Sequence, residues 1–306
     1  MAFPLWPRRS TRAFLREGRR MPDFSLFDLL HGYFYARWPY LYIGVATGEH
    51  VLARRARPLV DLIGRLLPSG QPDDPDAITF ADTYHGKVVP PAEAQQLISV
   101  RQDIRLTDLE QVIPYKLATD IVLQQPDHIM ALECPCRASR PNPCRPLDVC
   151  LIVGEPFASF VAEHHPRRSR ALSPAEAADV LRAEHERGHV QHAFFKDAML
   201  GRFYAICNCC ACCCGAMQAQ RNGVPMLAAS GYVAERDESR CRACGDCAAV
   251  CPFGAMTIQD GRVTLDAAAC MGCGVCVTRC RHGALRLRRD AGKGIPLDLR
   301  ALSAAH

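Results

Sequence analysis

The first part of the chain has apolar residues spaced as on amphipathic helices. One predicted helix, after Asp23, carries the apolar residues Leu26, Phe27, Leu29, Leu30 and Phe34. A second begins near Pro58 and has apolar residues up to Leu67. Residues 68–77, PSGQPDDPDA, have the composition of a linker. We therefore predict a helical, aromatic segment over residues 1–67.

Residues 78–230 have a mixed pattern. Thr107 and Glu110 form a potential capping box for a short helix through Ile113, and Ile129–Leu132 reads as a short buried strand. Residues 131–154 contain four prolines, which argue against regular structure there. We predict a rigid loop that carries four thiols.

A helix and two strands are predicted next. Ser173 and Pro174 favour a helix start, and Gly188 favours its end near Arg187. The strand-like runs HVQHAFF and RFYAIC follow, so this region resembles a winged helix. Because Gly188 breaks the helix, His185, His189 and His192 do not share one helical face.

The last quarter of the chain repeats itself with an offset of 29 residues. Cys241, Cys244, Cys247 and Cys251 recur as Cys270, Cys273, Cys276 and Cys280. Asp260-Gly261 predicts a hairpin turn between the two copies. This pattern indicates two half-domains related by pseudo-two-fold symmetry. The predicted organisation is a cysteine-rich domain over 78–230, the duplicated domain over 231–290 and a tail over 291–306.

The positive charge is concentrated at the N-terminus. The formal net charge is +5, and residues 1–20 hold six arginines against the single acid Glu17. The rest of the chain holds 31 of the 37 basic and 31 of the 32 acidic residues, so it is balanced. This distribution argues against a broad nucleic-acid-binding face, and no nucleic acid partner is expected.

The aromatic run Tyr33–Ala46 has two interpretations. It has 14 residues and contains Arg37, which makes it too short and too charged to span a bilayer. It is either a buried segment or, together with the arginine arm, a peripheral membrane contact through residues 1–46. No secretory signal is visible, so we expect a cytoplasmic protein, with the cytoplasmic membrane face as the alternative location.

The duplicated cysteines have the spacing C-x2-C-x2-C-x3-C, which is typical of two [4Fe–4S] clusters. In this motif the fourth cysteine, expected at a helix start, binds the cluster of the other copy. One set of expected ligands is Cys241, Cys244, Cys247 and Cys280, and the other is Cys270, Cys273, Cys276 and Cys251. A zinc ribbon needs two C-x2-C pairs and does not match two runs of four. Gly245, Gly272 and Gly274 allow backbone N–H groups to approach cluster sulfurs.

Residues 232–288 resemble the bacterial-type two-[4Fe–4S] ferredoxins. The resemblance implies a ferredoxin-like duplicated βαβ-repeat fold, one-electron transfer and a low potential. Family members commonly have proline after the fourth cysteine of each run; Pro252 fits, but Arg281 takes the second position. A positive charge beside Cys280 predicts the higher potential for the cluster that Cys280 binds.

Ten further cysteines lie outside the repeat. The candidate metal ligands are Cys134, Cys136, Cys144, Cys150, Cys207, Cys209, Cys210, Cys212, Cys213 and Cys214. If 207–214 is extended, Cys207, Cys209 and Cys213 face one way, and Cys210, Cys212 and Cys214 face the other. Two more [4Fe–4S] clusters, one cluster with spare redox thiols, and one larger non-cubane cluster all remain open. Zinc and inert or disulfide-forming thiols are the alternatives to a further iron–sulfur site.

This part also resembles a cysteine-rich domain that precedes ferredoxin modules in proteins of anaerobes. The shared features are CPCR at 134–137, PLDVCLIVG at 146–154, SPAEAADVL and the NCC-x-CCC stretch at 208–214. The resemblance implies architecture and anaerobic metabolism, but no particular reaction. The expected fold is α+β. A larger, mainly helical, mixed α/β cysteine-rich domain comes first in the chain, and the ferredoxin-like domain follows it.

The leading hypothesis is an iron–sulfur electron-transfer protein that works with redox partner proteins. An oxidoreductase with a catalytic N-terminal cysteine site is the alternative, and a redox-sensing regulator is the third possibility. The chain has no phosphate loop, dinucleotide fingerprint or H-E-x-x-H motif, so neither flavin nor nicotinamide is supported.

Overall fold

A computed structural model describes residues 8–21, 25–55, 78–107 and 109–305. The helix predicted after Pro58 and the linker at 68–77 lie outside these residues. The first helices are α1 (Arg9–Gly18), α2 (Leu26–Arg37) and α3 (Pro39–Ala46). The apolar pattern after Asp23 therefore correctly predicted α2. The Ser25 side chain caps this helix by accepting a hydrogen bond from the Asp28 N–H.

An eight-stranded sheet organises the cysteine-rich part. Its strands are β1 (Tyr84–Val88), β2 (Ile104–Leu106), β3 (Ile121–Glu133), β4 (Asp148–Glu155), β5 (Ser169–Leu172), β6 (Val190–Lys196), β7 (Arg202–Cys209) and β8 (Leu227–Ala228). The order is β2-β3-β4-β7-β6-β1-β8, with β5 also paired to β3. The fold is mixed α/β with a curled sheet. The expectation of a mainly helical domain thus gave too little weight to strands, which form its centre.

Helices surround this sheet. They are α4 (Phe80–Thr83), α5 (Pro91–Ser99), α6 (Pro135–Ala138), α7 (Phe157–His164), α8 (Pro174–Glu186) and α9 (Gly215–Arg221). Helix α8 begins and ends where Ser173 and Gly188 predicted. However, β6 and β7 are central strands, so the predicted winged helix is wrong. A wing would project from its helix, whereas this hairpin is flanked by β1 and β4.

Two local predictions between residues 107 and 154 are corrected by the structure. Residues 110–112 form a turn, so the helix predicted through Ile113 is absent there. The segment 131–154 is not one loop, because it contains the end of β3, helix α6 and most of β4. Pro135 stands at the first position of α6, where its missing N–H removes no helical hydrogen bond. The strand predicted at Ile129–Leu132 lies within β3.

The sheet has an apolar core on each face. Leu151 and Ile206 belong to the core covered by α5 and α8, and Leu297 and Leu299 from the C-terminal segment complete that core. Cys150 and Cys207 are directly opposite each other on β4 and β7. Alternation along each strand turns them to the other face, where the N-terminal helices and α7 pack. The first thiols of the candidate site are thus placed under the N-terminal helices.

The C-terminal part has six elements in the order β–α–β–β–α–β. They are β9 (Tyr232–Arg236), α10 (Asp246–Val250), β10 (Met256–Gln259), β11 (Arg262–Leu265), α11 (Val275–Arg279) and β12 (Leu285–Arg289), and α12 (Leu299–Ala305) follows. Strands β9 and β12 pair, as do β10 and β11, both antiparallel. Asp260 and Gly261 have positive φ at the β10–β11 turn, which confirms the predicted hairpin.

The N-terminal helices are attached to the rest of the molecule by aromatic and polar contacts. The Phe14 ring lies 6.2 Å from that of Phe160, and the Ser10 hydroxyl donates to Glu163 at 2.6 Å. None of the helices in the described ranges has both the length and the apolarity needed to cross a bilayer.

Candidate functional site

The cysteines of the repeat line two separate cavities of similar size. All 18 cysteines of the chain are free thiols. A cavity of about 20 Å³ is lined by the first quartet, which is Cys241, Cys244, Cys247 and Cys280. A cavity of about 20 Å³ is also lined by the second quartet, which is Cys251, Cys270, Cys273 and Cys276. In each case three cysteines come from one copy of the repeat and the fourth from the other. The structure thus brings together the two predicted sets, while ligation itself stays a prediction.

The fourth cysteine of each run lies at a helix end. Cys251 is the C-cap of α10, and Cys280 is the C-cap of α11. The expected position at a helix start is therefore wrong. The helices begin earlier, after Gly245 and Gly274, which adopt positive φ as their N-caps. The short helices carry the third cysteine inside the helix and leave the fourth beyond its end, turned towards the other copy.

The thiols of the second quartet are largely removed from solvent. Cys270, Cys273 and Cys276 are buried, and burial raises the pKa of Cys276 to about 12. Thiols in such a setting are neutral unless a metal cation stabilises the thiolate. Four thiols around a small cavity have the donor chemistry of a [4Fe–4S] site. The residues of both quartets therefore fit the cofactor that their spacing implies.

The first quartet lies nearer to solvent and has a charged pair at its side. Cys244 is exposed, and Arg281 donates two hydrogen bonds to Asp246, at 2.6 and 2.9 Å. The pKa of Arg281 is raised by this hydrogen bond and by the charge of Asp246. The positive charge that we expected beside Cys280 is thus paired with an acid. The negative charge of Asp246 opposes the effect from which we predicted a higher potential for the first quartet's cluster.

The other ten cysteines form two adjoining groups, which share Cys210 and differ from the predicted sets. The strand ends at Cys209, residues 211–213 form a turn, and α9 follows, so 207–214 is not extended. The six-cysteine cavity is named for Cys134, Cys136, Cys150, Cys207, Cys209 and Cys214, which line it, and Cys210 contributes to its wall as well. The four-cysteine group consists of Cys144, Cys210, Cys212 and Cys213. The turn moves Cys214 to the cavity and Cys213 away from it, which reverses the places that strand alternation gave them.

Several thiols around the six-cysteine cavity are in contact with one another. Cys134 adjoins Cys136 and Cys150, and the Sγ atoms of Cys209 and Cys214 are 3.2 Å apart. The cavity has a volume of about 80 Å³ and its other walls are mainly apolar or aromatic. The neighbouring thiol of Cys136 and burial together raise the pKa of Cys134 to about 12. A buried set of neutral thiols of this kind suits a metal centre rather than a reactive surface cysteine.

Arg137 places a buried positive charge in the wall of the same cavity. Its Nη2 donates to Glu184 Oε2 at 2.6 Å and to the Asn208 carbonyl at 2.9 Å. Its Nη1 donates to the Pro146 carbonyl at 2.6 Å. Its Nε has no hydrogen-bond partner among the described residues, although it is buried. An unpaired buried N–H that lines a thiol-rich cavity fits a sulfur or other anionic acceptor inside it.

Tyrosine hydroxyls occupy another part of the cavity wall. The hydroxyls of Tyr35 and Tyr204 are 2.7 Å apart. Burial raises the pKa of Tyr35, so its phenol is neutral. The buried Lys196 ammonium lies 5.3 Å from the Tyr35 ring, in the range of a cation–π contact. Sequence patterns marked Arg137 only as part of the CPCR motif and assigned no role to these tyrosines or to Lys196, because their contacts come from segments that are distant in the chain.

The second quartet faces the six-cysteine cavity. Phe253 and Met271, which follow Cys251 and Cys270 in the chain, pack against the apolar core around that cavity. They also pack against the small cluster that contains Cys273. The Ser230 hydroxyl donates to the Gly272 carbonyl at 2.8 Å. These contacts fix the second quartet, rather than the first, beside the cysteine-rich part.

Comparison with known proteins gives a family match for one region of the chain. Residues 240–284 match the family described as the 4Fe-4S dicluster domain. A search of curated proteins gave no match. The C-terminal region is therefore ferredoxin-type, and this match together with the many cysteines points to an iron–sulfur protein that binds 4Fe–4S. The matched range ends before α12 and begins after the ten N-terminal cysteines.

Proposed function

We propose that this chain is an electron-transfer protein with two [4Fe–4S] clusters in a duplicated ferredoxin module and a further iron–sulfur site in the six-cysteine cavity. The first and second quartets would each hold one cluster. When bound, these groups supply one-electron transfer with redox partner proteins. The protein's own part is to hold them close together, exclude water and set their potentials through charge and N–H donors.

The observation that carries the proposal is the packing of Phe253 and Met271. Both side chains line the cavity of the second quartet and pack against the apolar core that surrounds the six-cysteine cavity. They therefore join the second quartet to the cysteine-rich part through apolar contacts. A ferredoxin module that served only external partners would not need its more buried quartet against a second thiol-rich cavity.

The two quartets differ in solvent exposure, and this difference suggests a direction of electron transfer. Cys244 of the first quartet is exposed, and charged residues such as Arg242 surround it. Cys270, Cys273 and Cys276 of the second quartet are buried. A partner protein would therefore meet the first quartet, while the second quartet serves the interior. The donor and acceptor are redox proteins that dock at this charged surface.

Iron analysis of anaerobically purified protein tests the proposal. We expect more than about eight iron atoms per chain, since two cubanes account for eight. The double variant Cys134→Ser/Cys150→Ser should fall to about eight and keep the electron paramagnetic resonance signals of the reduced ferredoxin clusters. Ser99→Ala is the control, because its exposed hydroxyl bonds only the Gln95 carbonyl within α5 among the described contacts. Equal iron in the wild type and the double variant would refute a third site.

A specific observation also favours the oxidoreductase alternative. The six-cysteine cavity of about 80 Å³ is larger than the quartet cavities of about 20 Å³ each. Its wall offers the hydroxyls of Tyr35 and Tyr204 as well as the Arg137 Nε–H. Such groups could orient a small substrate beside a metal centre. Cyanide should be added while the electron paramagnetic resonance spectrum is recorded. A change in the signal of the N-terminal site, with none in the ferredoxin signals, would favour catalysis over simple electron transfer.

A peripheral membrane contact through residues 1–46 remains a proposal with support from exposed apolar residues. Leu26, Phe27 and Leu30 on α2 are 71%, 73% and 59% exposed. Exposed arginines on α1 lie near them in the chain, and basic and apolar groups together favour anionic lipid. The triple variant Leu26→Ser/Phe27→Ser/Leu30→Ser should lose cosedimentation with phosphatidylserine vesicles, whereas Ile258→Ser should keep it. If the wild type does not cosediment, the idea is wrong.

A further inference from the structure

The four-cysteine group lies beside the six-cysteine cavity, in the turn that follows β7, and Cys210 belongs to the group and to the cavity wall. Cys210 and Cys213 are buried, Cys144 is half-buried and Cys212 is exposed. Cys144 belongs to the segment between α6 and β4, and the other three belong to the turn before α9. The group thus joins two chain segments at a position that solvent can reach.

We propose that these four thiolates bind one tetrahedral divalent ion, with Zn²⁺ as the expected occupant. All four Sγ atoms lie within 4.8 Å of one another. Cys144 and Cys212 approach to 3.1 Å, and Cys212 and Cys213 to 3.6 Å. Four sulfurs bound to zinc at about 2.3 Å stand about 3.8 Å apart at the corners of a tetrahedron. The observed group is close to that size, and its separations exceed the ~2.05 Å of a disulfide.

The distances between its sulfur atoms distinguish this site from the two quartets of the repeat. In a [4Fe–4S] cluster each thiolate binds a different iron, so the sulfurs stand around a cube rather than around one atom. Among the described residues, no other set of three or more His, Cys, Asp or Glu side chains brings its ligand atoms within 4.8 Å. The first and second quartets, which suit cubanes, are therefore more widely spaced than the four-cysteine group.

The surroundings of the turn support an ion-binding role. The Gln218 side chain donates to the Cys212 carbonyl at 2.9 Å, and Arg221 donates to the Ala211 carbonyl. Four thiolates around a divalent cation leave a net negative charge, and the positive charge of Arg221 lies beside the same turn. Cys209 and Cys214 of the six-cysteine cavity flank the turn on either side. An ion at Cys210, Cys212 and Cys213 would therefore fix the position of two cavity thiols.

This assignment is independent of the proposed function, because its readout is zinc rather than iron. Protein purified anaerobically without chelators should contain about one zinc ion per chain, with about four sulfur neighbours at about 2.3 Å by X-ray absorption at the zinc edge. The double variant Cys144→Ser/Cys212→Ser should lose the zinc and keep most of its iron. The matched variant Cys134→Ser/Cys150→Ser should keep the zinc and lose iron.

Three results would overturn the assignment. They are wild-type protein without zinc, zinc retained in Cys144→Ser/Cys212→Ser, and a Cys144–Cys212 disulfide in the anaerobic protein by mass spectrometry. If the double variant does not fold, Co²⁺ replaces zinc in the wild-type chain as the probe. The intense visible bands of tetrahedral cobalt thiolate are then expected, and octahedral spectra would refute the site. Loss of the third iron–sulfur site alone leaves these zinc results unchanged.

Discussion

Arg137 and Glu184 form an ion pair beside the six-cysteine cavity, and both side chains are only 1% exposed. The pair joins the CPCR segment to α8. Burial alone would raise the pKa of Glu184, but hydrogen bonds from His189 and Arg137 outweigh it and lower that pKa. Because Arg137 also donates to the Pro146 and Asn208 carbonyls, one guanidinium connects α6, α8, β7 and the loop before β4.

Glu184→Gln should destabilise the protein strongly, because it leaves a buried guanidinium without its counter-charge. Breaking one side of a buried pair costs about 3–5 kcal/mol. Glu186→Gln, on the exposed side of the same helix, is the matched control. Unfolding of the iron-loaded protein in guanidinium chloride, followed by tryptophan fluorescence, gives the free energy of unfolding. The interpretation is wrong if both variants lose the same small amount.

Removing both partners separates the charge effect from packing. Arg137→Met/Glu184→Leu should lose less stability than Glu184→Gln, since no unpaired charge remains in the interior. The same double variant lacks the Arg137 Nε–H and should still change the resonance signal of the N-terminal site. A signal identical to that of the wild type would mean that Nε does not face the bound group.

Local patterns along the chain predicted much of the fold. Periodicity and caps located α2 and α8, the turn signal located the β10–β11 hairpin, and the repeat with its spacing gave both quartets. These features depend on residues near one another in sequence, where spacing and capping act directly.

The partition of the other ten cysteines depends on tertiary structure. The β4–β7 register places Cys150 opposite Cys207, although they are far apart in sequence. The stretch ACCC contains neither glycine nor proline, so nothing local marked the turn that redirects Cys213 and Cys214. The pairing of Arg137 with Glu184 joins residues 47 positions apart. Periodicity within one segment carries no information on such contacts.

Gly272→Ala should disrupt the second quartet. A Cβ at Gly272, where φ is +66°, would lie 2.2 Å from the Tyr232 carbonyl oxygen and 2.3 Å from Ser230 Oγ. Both contacts are too close, and the neighbouring Cys273 must therefore shift. Gly254→Ala is the matched control, because φ there is +68° and nothing lies within 4 Å of the added Cβ.

The control isolates the backbone strain of about 1–2 kcal/mol that alanine meets at positive φ. Gly254→Ala should keep its iron and lose only a little stability, while Gly272→Ala should lose about half of the ferredoxin iron. Iron analysis and the resonance spectrum of the reduced protein distinguish the two. Full iron content in Gly272→Ala would show that the backbone at this position can move without harm.

The His128–Glu155 pair predicts a pH-dependent contribution to stability. Nδ1 of His128 lies 2.5 Å from Glu155 Oε1, and this hydrogen bond raises the pKa of His128. The stabilisation from a raised histidine pKa is present below about 6.5 and is lost as the pH rises through the folded value. His128→Gln should therefore destabilise the protein near pH 6 and have little effect near pH 9.

The effect should stay below about 1 kcal/mol, because the His128 side chain is 34% exposed and solvent weakens the pair. Thermal unfolding of the anaerobic protein at the two pH values measures it. In a Glu155→Gln background the pH dependence of His128→Gln should vanish. A loss that is equal at both pH values would instead indicate a packing role for the imidazole.

Asp246 should lower the potential of the cluster that we propose for the first quartet, by offsetting the charge of Arg281. Arg281 Nε and Nη2 both donate to Asp246 Oδ2, and this pair lies close to Cys244 and Cys280. Asp246→Asn leaves the positive charge of Arg281 unbalanced, and a nearby cation favours the more negative, reduced state. The midpoint potential should therefore rise in Asp246→Asn and fall in Arg281→Gln. Both shifts should be modest, since salt and solvent screen an exposed pair.

Anaerobic redox titration followed by electron paramagnetic resonance measures both potentials in one experiment. The cluster proposed for the second quartet is an internal control, because neither Asp246 nor Arg281 lines its cavity. The double variant Asp246→Asn/Arg281→Gln should return close to the wild-type potential, since it removes one charge of each sign. If Arg281→Gln alone leaves the potential unchanged while Asp246→Asn raises it, the carboxylate acts on the cluster directly, and the pairing argument fails.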